Sequence, residues 1–198
     1  MTMVAGSSHV TDALAIGDRA PIELRRHVLA FFQGNRYLLN DLVSHVVAQV
    51  PLRSDAIDLY AGAGLFAVSA AAIRGARVTA VEGDRVAAAD LEANARAADG
   101  EVTAVHQPVE AFVAASRPRP TTLIVDPPRT GMSREALDGV LALGAARVIY
   151  VSCDIATLAR DARRIVDAGY AIEGITAFDM FPNTPHVETV VVFENQRV

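Results

Sequence analysis

Asp58-Leu59-Tyr60-Ala61-Gly62-Ala63-Gly64-Leu65-Phe66-Ala67 decides the fold. Residues 56–60 read as a short strand, Gly62-Ala63-Gly64 as a tight turn, and residues 65–74 as a helix stopped by Gly75. Glycine lets the backbone turn sharply and approach a ligand closely. Strand, G-x-G-x-x-A turn and helix in that order open a nucleotide-binding α/β sheet. Glu82 ends the next strand, 18 residues past Gly64, where an acid can hold ribose hydroxyls. Alone, the pattern fits either a dinucleotide or S-adenosylmethionine (SAM). Two details favour SAM: the acid Asp58 suits a cationic or amine-bearing ligand, and Gly64 leads into Leu-Phe rather than a phosphate-friendly run. The plain alternative is a glycine turn beside a solvated Glu.

The alternation continues outward from this unit. Strands are expected at 77–81, 102–106, 122–125 and 148–152, with helices at 86–98, 109–115, 135–143 and from just after Cys153 to Ala168. Pro118 and Pro120 mark a loop. Two last strands, 170–178 and 187–193, have no helix between them and predict an antiparallel hairpin at the sheet edge. Upstream, Leu38, Leu39, Leu42, Val43, Val46, Val47 and Val50 have helical spacing, ended by Pro51. Residues 16–30 suggest a strand pair around Gly17-Asp18, and residues 1–12, small and polar, are expected to be disordered or the remnant of a preceding region. The predicted fold is α/β: a doubly wound, mostly parallel seven-stranded sheet with a C-terminal antiparallel hairpin, Rossmann-like. Residues 1–30 form an N-terminal extension to a main domain of 31–198.

Composition narrows the function. The 198 residues are 52% apolar, enough for one well-cored domain. No apolar run approaches a membrane span, and the N-terminus lacks a basic start and a hydrophobic segment, so a cytoplasmic setting is expected. A single cysteine excludes an internal disulfide and a cysteine-ligated zinc or iron–sulfur site; no metal is expected. Net charge is −5, with Arg as the sole strongly basic residue type, which argues against a general nucleic-acid binder. Local basic faces remain, Arg25, Arg26 and Arg36 early and Arg160, Arg163 and Arg164 late; the plain alternative is a solvated helix face, which for the late cluster is an equal reading.

The single cysteine sits at Val148-Ile149-Tyr150-Val151-Ser152-Cys153-Asp154, where an apolar strand ends and a helix begins. Strand carboxyl ends carry the chemistry of open α/β sheets, and a helix N-terminus lowers a thiol's pKa. A buried structural cysteine is the commoner fate of such a residue. Asp126-Pro127-Pro128-Arg129 ends the fourth strand of the unit; two prolines stiffen the exit and frame a slot with Asp126 as polar anchor.

Taken together, the motifs resemble the SAM-dependent RNA uracil-5 methyltransferases, which make 5-methyluridine in tRNA and rRNA. The resemblance runs from about Phe31 to Glu194 and rests on six motifs in order. They are Phe-Phe-Gln-Gly-Asn (31–35), Asp-Leu-Tyr-Ala-Gly-Ala-Gly (58–64) with Val-Glu-Gly (81–83), Asp-Pro-Pro-Arg (126–129), Tyr-Val-Ser-Cys-Asp (150–154), Thr-Leu-Ala-Arg-Asp (157–161) and Asp-Met-Phe-Pro-Asn-Thr-Pro-His-Val-Glu (179–188). It implies SAM as cofactor, a tRNA or rRNA uridine as substrate, Cys153 as nucleophile and Glu188 as general base. Gln33, Tyr60, Gly62, Glu82 and Asp126 match cofactor-site positions; Arg129 and His186 fall inside motifs without an assigned role.

Covalent catalysis with a separate base explains these residue types: a thiolate at uracil C6 makes C5 nucleophilic, and a base removes the C5 proton. Desolvation is expected to raise the pKa of Glu188. The chain departs from the family at Asp154-Ile155, where relatives usually have Asn-Pro, and at Ala61, often Cys; the N-terminal RNA-binding barrel and central β-rich insert that relatives usually carry are not expected to fit into the thirty residues before Phe31. Asp154 still suits a helix cap, but its carboxylate is expected to oppose thiolate formation. Two other classes stay open: a SAM-binding, RNA-contacting module with little turnover, and an NAD-linked or small-molecule SAM enzyme.

Overall fold

The computed structural model describes residues 6–116 and 120–197. An N-terminal hairpin of β1 (His9–Leu14) and β2 (Ile22–His27) precedes α1 (Leu39–Ala48). Then follow β3 (Asp55–Leu59), α2 (Leu65–Arg74), β4 (Arg77–Glu82), α3 (Arg85–Ala97), β5 (Glu101–His106), α4 (Val109–Ala115) and β6 (Thr122–Val125). The chain continues with α5 (Arg134–Leu143), β7 (Arg147–Ser152), α6 (Ile155–Asp167), β8 (Tyr170–Phe178) and β9 (Glu188–Asn195). From α1 onward every element lies within two residues of its expected span.

The main sheet has seven strands in the order β5-β4-β3-β6-β7-β9-β8. β3 to β7 are parallel; β9 runs antiparallel between β7 and β8. The chain therefore winds one way from β3 to β5 and the other way from β6, so the crevice opens at the carboxyl ends of β3 and β6. The β8–β9 hairpin forms as expected, with β8 outermost.

Alternation along the strands builds two cores. Ile149 and Val151 of β7 join α1, α2, Leu91 of α3 and the N-terminal hairpin on one face. Val148 and Tyr150 join α4, α5 and α6 on the other. Such two-sided burial is what makes parallel strands read as continuous apolar runs.

The N-terminal segment corrects one expectation. Residues 9–12 are not structureless but belong to β1, paired antiparallel with β2; residues 1–5 lie outside the described residues. Leu14 and Leu24 are 1% and 0% exposed in the first core. Polar anchors on α3 hold the hairpin in place: Asp90 accepts from the His27 amide at 2.6 Å, and Asn94 bonds both the N–H and the C=O of Arg25. Of the expected proline loop, Pro118 lies outside the described residues and Pro120 leads into β6.

Candidate functional site

A cleft of about 850 Å³ opens at the switch point between β3 and β6. It gathers Gln33, Tyr60, Gly62, Glu82, Asp126, Cys153 and Glu188, all seven residues that the resemblance matched to catalytic or cofactor positions, together with Phe31, Pro127, Pro128, Arg129 and Phe181. Clefts of this size suit a cofactor-sized ligand.

The glycine turn forms one wall. Gly64 caps α2 at φ 96°, a conformation that side-chain-bearing residues rarely adopt, and a Cβ there would stand 2.9 Å from Leu91 Cδ1, so glycine is favoured. Tyr60 adopts φ 62°, a left-handed conformation that is strained for a bulky residue. Glu82 Oε2 accepts from the Gly62 amide at 2.7 Å and Oε1 from the Asp84 amide at 2.7 Å. That carboxylate therefore holds the turn while facing the cleft.

Gln33 and Glu188 are 8% and 2% exposed, and Gln33 Oε1 and Glu188 Oε1 have no hydrogen-bond partner. Buried acceptors of this kind are normally satisfied; lining a cleft, they fit a ligand that supplies donors. Asp58 does not reach the cleft wall. It is fully buried with both oxygens unpartnered, and burial pushes its pKa up to about 8, opposed by the Ala67 amide and assisted by Glu82. Asp58, read from the sequence as suited to a cationic or amine-bearing ligand, thus stands behind the cleft lining rather than in it.

The facing wall carries the candidate chemistry. The register pairing Ser152 with Thr189 brings Cys153 and Glu188 side by side where β7 and β9 reach the cleft. Burial pushes the Glu188 pKa up to about 7, as expected. Asp126 is pushed well above the usual carboxylate range, by burial first and then by Glu188 and Asp58. A cluster of buried acids in low dielectric cannot all ionise together.

Cys153 corrects the expectation of a helix-lowered thiol. Burial and the Glu188 carboxyl raise its pKa, while the Arg129 guanidinium beside it favours the thiolate. Asp154 caps α6 as expected, but it is not the acid that opposes the thiolate. Its side chain turns to cap α6, accepting from the Thr157 amide at 2.9 Å, and that bond holds its pKa low. The acids that oppose the thiolate are Glu188 and Asp126.

Arg129 is the residue whose part the sequence left open. Its guanidinium reaches the thiol across two neighbouring strands, and its place in a motif was the only available signal. His186 stays at the rim, its ring edge-on to Phe181 at 6.4 Å. The arginine clusters resolve mainly as ion pairs: Arg25 with Asp90, Arg26 with Asp12, Arg160 with Asp161, Arg163 with Asp167 and Arg164 with Asp138. Arg36 lies over the Tyr37 ring. Among the described residues no group of three or more His, Cys, Asp or Glu is placed to hold a metal, and no helix is long and apolar enough to cross a membrane.

Known proteins resemble this chain in sequence and fold. A Thermotoga maritima protein named as an uncharacterized RNA methyltransferase is 40% identical over 165 residues, covering 82% of this chain and 37% of that protein. The 23S rRNA (uracil(1939)-C(5))-methyltransferase RlmD of Alcanivorax borkumensis is 34% identical over 185 residues, covering 90% and 41%. Among solved structures, the Pyrococcus abyssi tRNA (uracil-54, C5)-methyltransferase in complex with S-adenosyl-L-homocysteine superposes with a TM-score of 0.80 at 29% identity, over 96% of this chain and 45% of that one. The chain thus spans less than half the length of these relatives. The family model described as tRNA (uracil-5-)-methyltransferase matches residues 2–196, nearly the whole chain, and to that family the chain belongs.

Proposed function

We propose that the chain transfers a methyl group from SAM to C5 of a uridine in tRNA or rRNA, through a covalent adduct at Cys153. The observation that carries this reading is the meeting of one thiol, one guanidinium and one buried carboxyl on a cleft wall opposite the glycine turn. The residues fit SAM: Glu82 for ribose hydroxyls, Gln33 with an unpartnered buried acceptor, Tyr60 and Gly62 along the turn, and Asp126 between the two walls. Bound there, SAM supplies an electrophilic methyl group.

The chain's own residues supply the rest. Cys153 Sγ, as thiolate, adds to uracil C6, and the electron pair of the C5–C6 bond moves toward the C4 carbonyl. C5 is then nucleophilic and would take the methyl group as its bond to the SAM sulfur breaks and S-adenosylhomocysteine leaves. Glu188, ionised, removes the C5 proton; the C5–C6 double bond re-forms and the C6–S bond breaks, returning the thiolate. Arg129 supports the thiolate at the start and the end of this cycle. A Glu188 pKa of about 7 matches a base working near neutral pH. Reaching C5 and C6 requires an unpaired uridine or one turned out of its stack.

The test is a trap. Fluorine at C5 cannot leave as a cation, so SAM and a 5-fluorouridine RNA should leave a stable protein–RNA adduct, read as intact mass. The adduct should vanish in Cys153→Ala while SAM binding persists. Glu188→Gln with ordinary uridine RNA should accumulate the methylated adduct. An adduct that survives Cys153→Ala, or full turnover by Glu188→Gln, sinks the assignment.

A further inference from the structure

The loop that carries Arg129 has few bonds of its own. Pro127 and Pro128 offer no amide donors, and its one internal backbone bond runs from Gly131 N to Pro128 O. Three residues on one face of α6, spaced i, i+3 and i+4, hold it from outside. Thr157 Oγ1 donates to Arg129 O at 3.1 Å. Arg160 Nη2 donates to Thr130 O at 3.2 Å and Met132 O at 3.0 Å. Asp161 Oδ2 accepts from the Met132 amide at 2.9 Å.

Asp161 is the hub. It is 1% exposed. Its Oδ1 accepts from Arg160 Nε at 2.8 Å, and its Oδ2 also accepts from Tyr150 Oη at 2.7 Å. Tyr150 belongs to β7, the strand that leads straight to Cys153, and α6 starts two residues after Cys153. Gly131 packs onto the same hub at φ +71°: a Cβ there would lie 2.5 Å from Arg160 Nη2 and 2.8 Å from Asp161 Oδ2. One buried carboxylate thus joins the strand before the thiol, the helix after it and the loop bearing its guanidinium.

We infer that Asp161 is a positioning residue that, with Tyr150 and Arg160, holds Arg129 against the Cys153 thiol. It touches neither substrate nor cofactor and acts through Arg129. The inference rests on Cys153 as the nucleophile, yet it can be read without RNA, because Cys153 is the single thiol in the chain.

The experiment is the pH dependence of Cys153 alkylation by iodoacetamide in the full chain, with SAM binding and thermal unfolding followed alongside. Arg129→Gln should move the alkylation profile to higher pH. The rate at neutral pH should fall by about tenfold for every pH unit that the profile moves. Asp161→Asn should move it the same way, and the double variant should be no slower than Arg129→Gln alone. Tyr150→Phe, which removes one bond and keeps the bulk, should move the profile less but in the same direction, and it decides the matter if Asp161→Asn does not fold. Arg163→Gln, on the outer face of α6 and paired with Asp167, should leave the profile unchanged.

An Asp161→Asn chain that melts earlier but keeps the wild-type profile overturns the inference, as does a double variant whose effects add. Absence of a 5-fluorouridine adduct in the wild type bears on the proposed function instead, and the alkylation profile still decides the role of Asp161.

Discussion

At the residue scale, the instructive case is Asp58. In the sequence it reads as an acid suited to a cationic ligand; folded, it is fully buried behind the glycine turn without a hydrogen-bond partner. Its folded pKa, about 8, lies above the unfolded value near 3.9. A raised folded pKa means that the folded chain binds the extra proton. The contribution to stability is full below the unfolded pKa and is lost as pH rises through about 8. Asp58→Asn keeps the shape and cannot ionise. Its advantage over wild type in urea unfolding should therefore widen by about 2 kcal/mol or more between pH 5 and pH 8. Parallel pH profiles for the two proteins would show that Asp58 is ionised in the folded state. The residues that were legible in the sequence, Glu82, Asp126 and Cys153 among them, end strands or directly follow them, so their direction into the crevice follows from the fold. The placement of Arg129 and Asp161 was not legible. It depends on groups meeting across elements some thirty residues apart, for example the Asp161 side chain with the Met132 amide.

At the scale of elements, period and punctuation located nearly every strand and helix from α1 onward. The N-terminal hairpin was harder to read because its anchors sit far away on α3. Asp90 and Asn94, four residues apart, look like ordinary polar positions on an amphipathic helix. In the fold Asn94 is 4% exposed and joins three elements: it bonds Arg25 N and Arg25 O in β2 and donates to Ala63 O, in the glycine turn, at 2.8 Å. Asn94→Ala removes all three bonds and strands the carbonyl of Ala63 away from water. We expect a loss of about 2–3 kcal/mol in unfolding free energy and weaker SAM binding, because the turn that lines the cleft is no longer braced. Asn94→Asp keeps the acceptor for Arg25 N but loses both donated bonds, so it should resemble the alanine variant. Calorimetric titration with SAM reads the second effect. Unchanged affinity in a destabilised variant would confine Asn94 to holding the hairpin.

At the scale of the whole molecule, the question is what the smallest self-sufficient unit is. The sequence suggests a boundary near residue 30, with the motifs beginning at Phe31. Physical chemistry favours an earlier one. Leu14 and Leu24 are buried in the same core as α1 and α2, and each such side chain contributes about 1.5–3 kcal/mol. The family match, too, begins at residue 2. Removing the hairpin also uncovers a problem of charge. The Asp90 side chain is 2% exposed and faces His9 at 3.3 Å, Arg25 at 3.7 Å and the His27 amide at 2.6 Å. Without those partners the carboxylate stays on a helix built to be covered. A chain shortened to residues 31–198 should therefore lose about 4 kcal/mol or more, a large part of the roughly 5–15 kcal/mol that holds a typical domain together. Asp90→Asn in the shortened chain should recover part of that loss, because a neutral amide tolerates the uncovered site better than an unpaired charge; in the full chain the same substitution should destabilise. Urea unfolding of the four proteins reads the contrast. Equal midpoints for the full and shortened chains would make the hairpin an appendage and residues 31–198 the autonomous unit. The opposite signs of Asp90→Asn in the two backgrounds would show that the hairpin completes the domain electrostatically as well as by packing.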